Sequence, residues 1–231
     1  GGCGLRCSWC DSLFAVLPEE IKKYRKMMTT AQILDAIEKL PSAPYITFTG
    51  GDPCIQPLLD GIINTLNMRG MRIAVETQGQ YFPDWLRRVD VATFSPKGPS
   101  SGNVVDISDL LEWLHERGGI RTLKVCIKIV CFNEDDYKYA LFVYNSIPSF
   151  LYDAFYFTAG TPLIKTPMHQ LPQDKDDLTE AGFARVEMVL QNQHNLATMM
   201  LKNDAQTEFN DKVHLGCQQH VLLWPTEDKG V

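Results

Sequence analysis

The sequence predicts an α/β protein, an open or incomplete (β/α) barrel of about six parallel strands. Three observations carry that reading. Short β-rich runs alternate with amphipathic helical runs, which implies parallel strand pairing through helical crossovers. The chain has 231 residues, enough to bury one sizeable core. No internal repeat, low-complexity tract or interdomain linker divides it, so residues 1–231 read as a single domain.

The elements follow in order. A helix is expected from Thr30 to Leu40, with Thr29 and Gln32 as a capping box and Ile33, Leu34, Ile37 and Leu40 as its apolar stripe. Pro41 and Pro44 end it. Tyr45–Thr49 reads as a strand stopped by Gly50-Gly51. Pro57–Arg69 is a helix with Leu58, Leu59, Ile62, Ile63 and Leu66 inward, closed by Gly70. A strand at Arg72–Glu76, a short helix near Pro83–Arg88 and a strand at Val91–Ser95 come next. Ile107–Arg117 is helical and is followed by Gly118-Gly119; Leu123–Val130 is a strand; Asp135–Asn145 is helical; Ala154–Thr158 is a strand. Thr161–Asp177 is Pro-rich and polar and reads as a long loop. Leu178–His194 is helical behind an Asp177/Glu180 capping pair, and Ala197–Leu201 reads as a last strand.

Composition excludes several classes. Twenty-two basic against 28 acidic residues give a net charge of −6, so there is no bulk attraction to nucleic acid or to an anionic membrane. No apolar stretch approaches the roughly 20 residues of a spanning helix. The seven cysteines cannot all pair, and three of them crowd into the first ten residues. A secreted disulfide scaffold is shorter and denser in cysteine, so a reducing, cytoplasmic compartment is expected. Cys54, Cys126, Cys131 and Cys217 read as small core hydrophobes.

The strongest motif is Cys3-x3-Cys7-x2-Cys10, with Gly4 allowing a tight turn. Three closely spaced thiolates can hold three irons of a 4Fe-4S cubane. The fourth iron then stays open to an amine and a carboxylate, which the methionine end of S-adenosylmethionine (SAM) offers. Zinc would need a fourth ligand, and the other close pair, Cys126-x4-Cys131, faces opposite sides of a strand. A Cys7–Cys10 redox pair would leave Cys3 without a role. The cysteine spacing resembles that of the radical SAM superfamily.

Other residues gather at strand ends. Thr49-Gly50-Gly51-Asp52-Pro53 ends the first strand, where the superfamily's Gly-Gly-Glu motif lies; here Asp52 replaces Glu. By itself that turn is an ordinary β-turn signal. Glu76-Thr77-Gln78-Gly79 and Ser95-Pro96-Lys97 end the next two strands, and polar groups at successive carboxyl ends favour a site over ordinary loop polarity. Lys124 and Lys128 share one strand face with Cys126; each is either an inward lysine or one whose stem covers the edge while its head stays in water.

Taken together, Cys7-Ser8-Trp9-Cys10-Asp11-Ser12, Thr49 to Pro53, Glu76 to Gly79 and Ser95 to Lys97 resemble the 7-carboxy-7-deazaguanine synthase family of radical SAM enzymes. The likeness is close through about Ser101 and returns at Leu222-Leu223-Trp224 and Gly230-Val231. It implies a radical SAM barrel and ring contraction of 6-carboxy-5,6,7,8-tetrahydropterin with loss of ammonia. The reaction would be initiated by a 5′-deoxyadenosyl radical and belong to queuosine and deazapurine biosynthesis, with tRNA modification downstream. It implies Cys3, Cys7 and Cys10 as cluster ligands and Ser12 as a ligand of Mg²⁺, whose preference for hard oxygens suits a hydroxyl. Ser12 could equally be a turn or cap residue. The resemblance further implies SAM contacts at Trp9, Cys10, Asp11, Gly51, Ser95, Pro96, Lys97 and the Thr158-Ala159-Gly160-Thr161 segment. Pterin contacts fall on Thr49, Glu76 and the carboxylate of Val231. A reductant such as flavodoxin and a homodimer are also implied.

Two departures stand out. Family members carry a strand, a Gln-Gly-Glu-type substrate loop and an Arg before the first cysteine, so such a segment is expected upstream of Gly1. Phe157-Thr158-Ala159-Gly160-Thr161 lacks the family's Gln. Two other readings share the cysteine loop: an activase that makes a glycyl radical on a partner protein, and a non-catalytic metal-binding module. Glu76 to Gly79, Ser95 to Lys97 and the terminal valine favour the small pterin.

Overall fold

Runs rich in β-branched and aromatic residues form six strands: β1 (Ile46–Phe48), β2 (Ile73–Thr77), β3 (Val91–Phe94), β4 (Lys124–Cys131), β5 (Ala154–Ala159) and β6 (Val213–Gly216). The computed structural model describes residues 1–41, 43–103, 105–117, 122–161, 175–202 and 208–217, without the side chains of 175–182 and 185. The strands lie side by side in chain order, every pair parallel. β1 and β6 are the two edges, so the sheet is the expected open barrel.

Strand periodicity gives the sheet two unlike faces. Ile73, Val75, Ala92, Phe94, Val125, Ile127, Ile129, Phe155 and Phe157 are all buried, in one core with the helices. The alternate positions Glu76, Thr93, Cys126, Lys128, Tyr156 and His214 are partly or fully exposed. A parallel sheet is ordinarily apolar and covered on both faces, so a polar, open second face marks the side available to ligands.

The helices are α1 (Pro18–Tyr24), α2 (Thr30–Glu38), α3 (Leu59–Met68), α4 (Ser108–Glu116), α5 (Glu134–Ser146) and α6 (Lys175–Lys202). The α2 capping box forms as expected: Gln32 N–H donates to Thr29 Oγ1 at 3.3 Å and Thr29 N–H donates to Gln32 Oε1 at 2.9 Å. In α3, Ile62, Ile63 and Leu66 are buried, and Gly70 beyond it takes a φ of +69°. Asp84–Arg88 is a 3₁₀ turn.

Several sequence expectations are corrected. Ala197–Leu201 is not a strand but the last turns of α6. Val189 and Leu196 are buried, and Met199 and Met200 pack on the core, a helical spacing hidden inside an apolar run. Asp177 lies inside α6, which begins at Lys175, so it is not the cap. The last strand is Val213–Gly216, whose residues show no buried alternation because it is an edge. α1 was not anticipated, although Pro18 at its start, Glu19 and Glu20 in the first turn and Lys22 and Lys23 in the last are ordinary helix-end signals. Gly118-Gly119, most of the Thr161–Asp177 loop, Leu222 to Trp224 and Val231 lie outside the described residues.

Ile127 is fully buried in β4 at mid-sheet. Ile127→Ala is expected to destabilise the protein by about 2–5 kcal/mol, read as a fall in the urea unfolding midpoint.

Candidate active site

The chain's first residues lie across the carboxyl ends of the strands. Gly2 N–H donates to the Ala15 carbonyl at 2.6 Å, and the Gly2 carbonyl accepts from Asp52 N–H at 2.7 Å. The cysteine loop is thereby tied to the Gly-Gly turn. Gly51 has a φ of +60°, and a Cβ there would lie 2.2 Å from the Gly2 oxygen, so only glycine fits.

The other side of the loop rests on the segment after β3. Ser8 Oγ donates to the Ser100 carbonyl at 2.7 Å, Ser8 N–H donates to the Ser101 carbonyl at 3.0 Å, and the Trp9 indole donates to Ser100 Oγ at 2.9 Å. Trp9 also packs on Phe132 with ring centroids 4.9 Å apart. Ser100 and Phe132 are both held by Asp136, a fully buried carboxylate. Its Oδ1 accepts from Ser100 N–H and its Oδ2 from Phe132 N–H, each at 2.9 Å. A Cβ on Gly98 would lie 2.6 Å from Asp136 Oδ1. Sequence reasoning missed Ser100, Phe132 and Asp136. The one available signal was Gly98 after a strand end, where backbone and a neighbour approach closely.

The three thiols share this loop and are half-buried. Cys3 Sγ donates to Gln78 Oε1 at 3.4 Å, Cys7 Sγ accepts from Asn103 Nδ2 at 3.6 Å, and Cys10 N–H donates to the Cys7 carbonyl at 3.1 Å. Burial raises the pKa of all three, and the charges of neighbouring cysteines raise those of Cys7 and Cys10 further. Among the described residues no three His, Cys, Asp or Glu side chains close on a single ion. A cubane spreads its thiolates over separate irons, whereas zinc needs all its ligands about 2.0–2.3 Å from one point. Three half-buried thiols on one short loop suit a cluster, whose irons take one thiolate each.

Asp52, the acid of the Gly-Gly turn, is buried. Its Oδ1 accepts from Thr77 Oγ1 at 2.7 Å and from Cys54 N–H at 3.0 Å, while Oδ2 has no hydrogen bond. Burial raises its pKa against the opposing pull of Thr77, Cys54 and Gln78. That open buried oxygen suits an incoming ammonium such as the amino group of SAM. Lys97 Nζ donates to Ser95 Oγ at 2.9 Å and lies 5.8 Å from the Trp9 ring centroid. Burial and then the Lys128 charge lower its pKa; Glu76, Cys7 and Asp11 oppose them. Pro96 is buried beside it.

The Ser12 hydroxyl precedes a 3₁₀ turn but makes no cap bond to it; instead it donates to Asp11 Oδ1 at 3.0 Å. Two oxygens of the hard type are thus adjacent. Glu76 lies on the polar sheet face and pairs with Lys128, so Lys128 points over the sheet toward β2. Thr49 is exposed at the end of β1. Thr158, Ala159, Gly160 and Thr161 are buried at the end of β5. Gly160 N–H donates to the Cys131 carbonyl at 2.8 Å, and its carbonyl accepts from Asn192 Nδ2 at 2.9 Å, so its backbone is already engaged.

Residues 1–140 match the family model described as Radical SAM superfamily. The 7-carboxy-7-deazaguanine synthase of Bacillus subtilis (strain 168) is 34% identical over 170 residues, spanning 71% of this chain and 68% of that protein. The Bacillus cereus synthase is 32% identical over 155 residues, 65% of this chain and 63% of the relative. The chain thus spans about two thirds of the length of these two curated relatives. The crystal structure of QueE from Escherichia coli superposes with a TM-score of 0.53 at 17% identity, over 94% of this chain and 81% of that one.

Two outcomes follow from the geometry. Gly98→Ala should push against Asp136, lower the urea midpoint, and reduce the iron bound per chain after anaerobic reconstitution. Lys97→Met should raise the urea midpoint of the metal-free protein. Burial disfavours the charged form of this lysine, and the substitution removes the ammonium.

Proposed function

The chain belongs to the radical SAM superfamily and, within it, to the 7-carboxy-7-deazaguanine synthases, and from that membership we propose that it converts 6-carboxy-5,6,7,8-tetrahydropterin to 7-carboxy-7-deazaguanine with loss of ammonia. Residues 1–231 act as a single radical SAM domain in this reading. What supports it most is the meeting of the three-cysteine loop, the Gly50–Asp52 turn and Ser95–Lys97 at one end of the sheet, beside the polar face that carries Glu76.

Cys3, Cys7 and Cys10 hold the 4Fe-4S cluster, which when bound supplies the electron for reductive cleavage of SAM. Trp9, Cys10 and Asp11 line the SAM side of the loop. Asp52 and the Gly51 backbone receive the amino group. Lys97, steered by Ser95 and fixed beside Pro96 and Trp9, takes the carboxylate or a ribose oxygen. Thr158, Ala159, Gly160 and Thr161 close the far side. Glu76 and Thr49 contact the pterin from the sheet. A carboxylate suits the aminopyrimidinone edge because it accepts two parallel N–H bonds. Ser12, with Asp11 at its side, holds Mg²⁺ together with substrate oxygens. A flavodoxin-like reductant, a homodimer, a cytoplasmic setting and a downstream role in tRNA modification complete the proposal. No helix among the described residues is long and apolar enough to cross a membrane.

Anaerobic reconstitution followed by SAM, reductant, Mg²⁺ and carboxytetrahydropterin tests this reading by mass spectrometry. The expected product is lighter than the substrate by ammonia. Deoxyadenosine formed without that product would refute the synthase assignment while leaving SAM cleavage intact. Cys7→Ala should abolish the visible absorbance of the cluster and all turnover.

A further inference from the structure

Among the described residues, Lys128 of the polar sheet face meets a carboxylate across the sheet. Its partner is Glu76, and both side chains are partly exposed. Glu76 is in register with Thr93 of β3, and Thr93 with Cys126 of β4; Lys128 is one pleat step beyond Cys126 on the same face. Two intervening strand spacings put β2 and β4 roughly 10 Å apart. Only long side chains can meet over that gap, and Thr93 between them is short enough to be bridged. On its other side, Lys128 is in register with Tyr156 of β5, whose ring stacks on His214 of β6 at 5.0 Å. Lys97 approaches from the strand ends; the Lys128 charge is the largest electrostatic influence lowering its pKa, and Glu76 the largest opposing it. Among the described residues Lys128 is the ion-pair partner of Glu76.

The pair does little for the fold. It lies on the open face, away from the core, and a partly exposed ion pair contributes little to stability. Its effect falls on the carboxylate. An unpaired Glu side chain samples several rotamers, whereas this one is held at the centre of the face. We propose that Lys128 is a positioning residue for the pterin: its ammonium holds the Glu76 carboxylate oriented to accept the N–H donors of the ring, and so sets substrate affinity without touching SAM chemistry. The inference rests on the synthase reading.

Fluorescence titration of the reconstituted protein with 6-carboxypterin, a stable oxidised relative of the substrate, is the test. Lys128→Met is expected to raise the Kd about tenfold or more, and Glu76→Gln by a similar factor. The double variant should bind no worse than the weaker single variant, because the two residues act as one unit. Lys128→Arg should restore affinity to within about threefold of wild type. In turnover assays the KM for the pterin should rise with that Kd while the KM for SAM stays unchanged. Thermal unfolding of Lys128→Met should stay within about 4 °C of wild type. Affinity in Lys128→Met equal to wild type, losses that multiply in the double variant, or a parallel rise in the KM for SAM would each overturn the inference. Wild-type protein that neither binds carboxypterin nor turns over the pterin would overturn the synthase reading, and the inference with it.

Discussion

Asp136 sits at the first turn of α5 with both carboxylate oxygens occupied, one by the amide of Ser100 and the other by the amide of Phe132. Those two bonds join the segments that follow β3 and β4. Each segment in turn carries one side of Trp9: Ser100 takes the indole N–H and Phe132 takes the ring face. A buried carboxylate is costly unless hydrogen-bonded, and here the bonds come from backbone that would itself be unsatisfied otherwise. The cysteine loop contributes little core of its own; among its first ten residues only Leu5 is buried. Its place over the strand ends is set by this relay, together with the Gly2 contacts to Ala15 and Asp52 on the opposite flank.

The same logic explains the choice of small residues nearby. Gly98 has a φ of −73°, available to any amino acid, so its lack of a side chain serves space rather than conformation: the Asp136 carboxylate occupies the volume a Cβ would take. Gly160 is kept bare in the same way by the ring of Phe132, 2.6 Å from where a Cβ would be. Gly51 differs, since both its left-handed backbone and the approach of Gly2 require glycine. Three glycines on three loops thus let the chain close on one point from three directions.

Much of this was legible in the sequence, though unevenly. The strands β1 to β5 and helices α2 to α5 announced themselves by periodicity, because each puts one face into a common core. Cys3, Cys7 and Cys10 were legible because their spacing is local. Asp136, Ser100 and Phe132 were not, because the relay depends on distant pairs: Asp136 with Ser100, 36 positions apart, and Trp9 with Ser100, 91 apart. Lys128 was legible as a residue on the right face but not as the partner of Glu76, 52 residues away. β6 escaped because an edge strand with no buried alternation has no period to read, and a helical run of apolar residues just before it carried a stronger false signal. Local chemistry is written locally, whereas a relay between loops exists only once the sheet has set its register.

The groups gathered at the strand ends sit in surroundings that oppose their charged forms. Three thiols have pKa values raised by burial, which disfavours the thiolate form a metal requires. Burial disfavours the charged form of Lys97, and Asp52 Oδ2 makes no hydrogen bond. Asp52 also binds Thr77 and the Cys54 amide, and Lys97 binds Ser95, so these groups serve the fold as well as the site. Each matches an opposite demand: iron for the thiols, a carboxylate for the lysine, an ammonium for the aspartate. A ligand that satisfies all three binds the native state alone, since the unfolded chain does not hold them together, and its binding free energy adds to stability through mass action. The strain at the strand ends is therefore tolerable because the rigid parallel sheet beneath it, with its apolar face packed on the helices, does not depend on the site being filled.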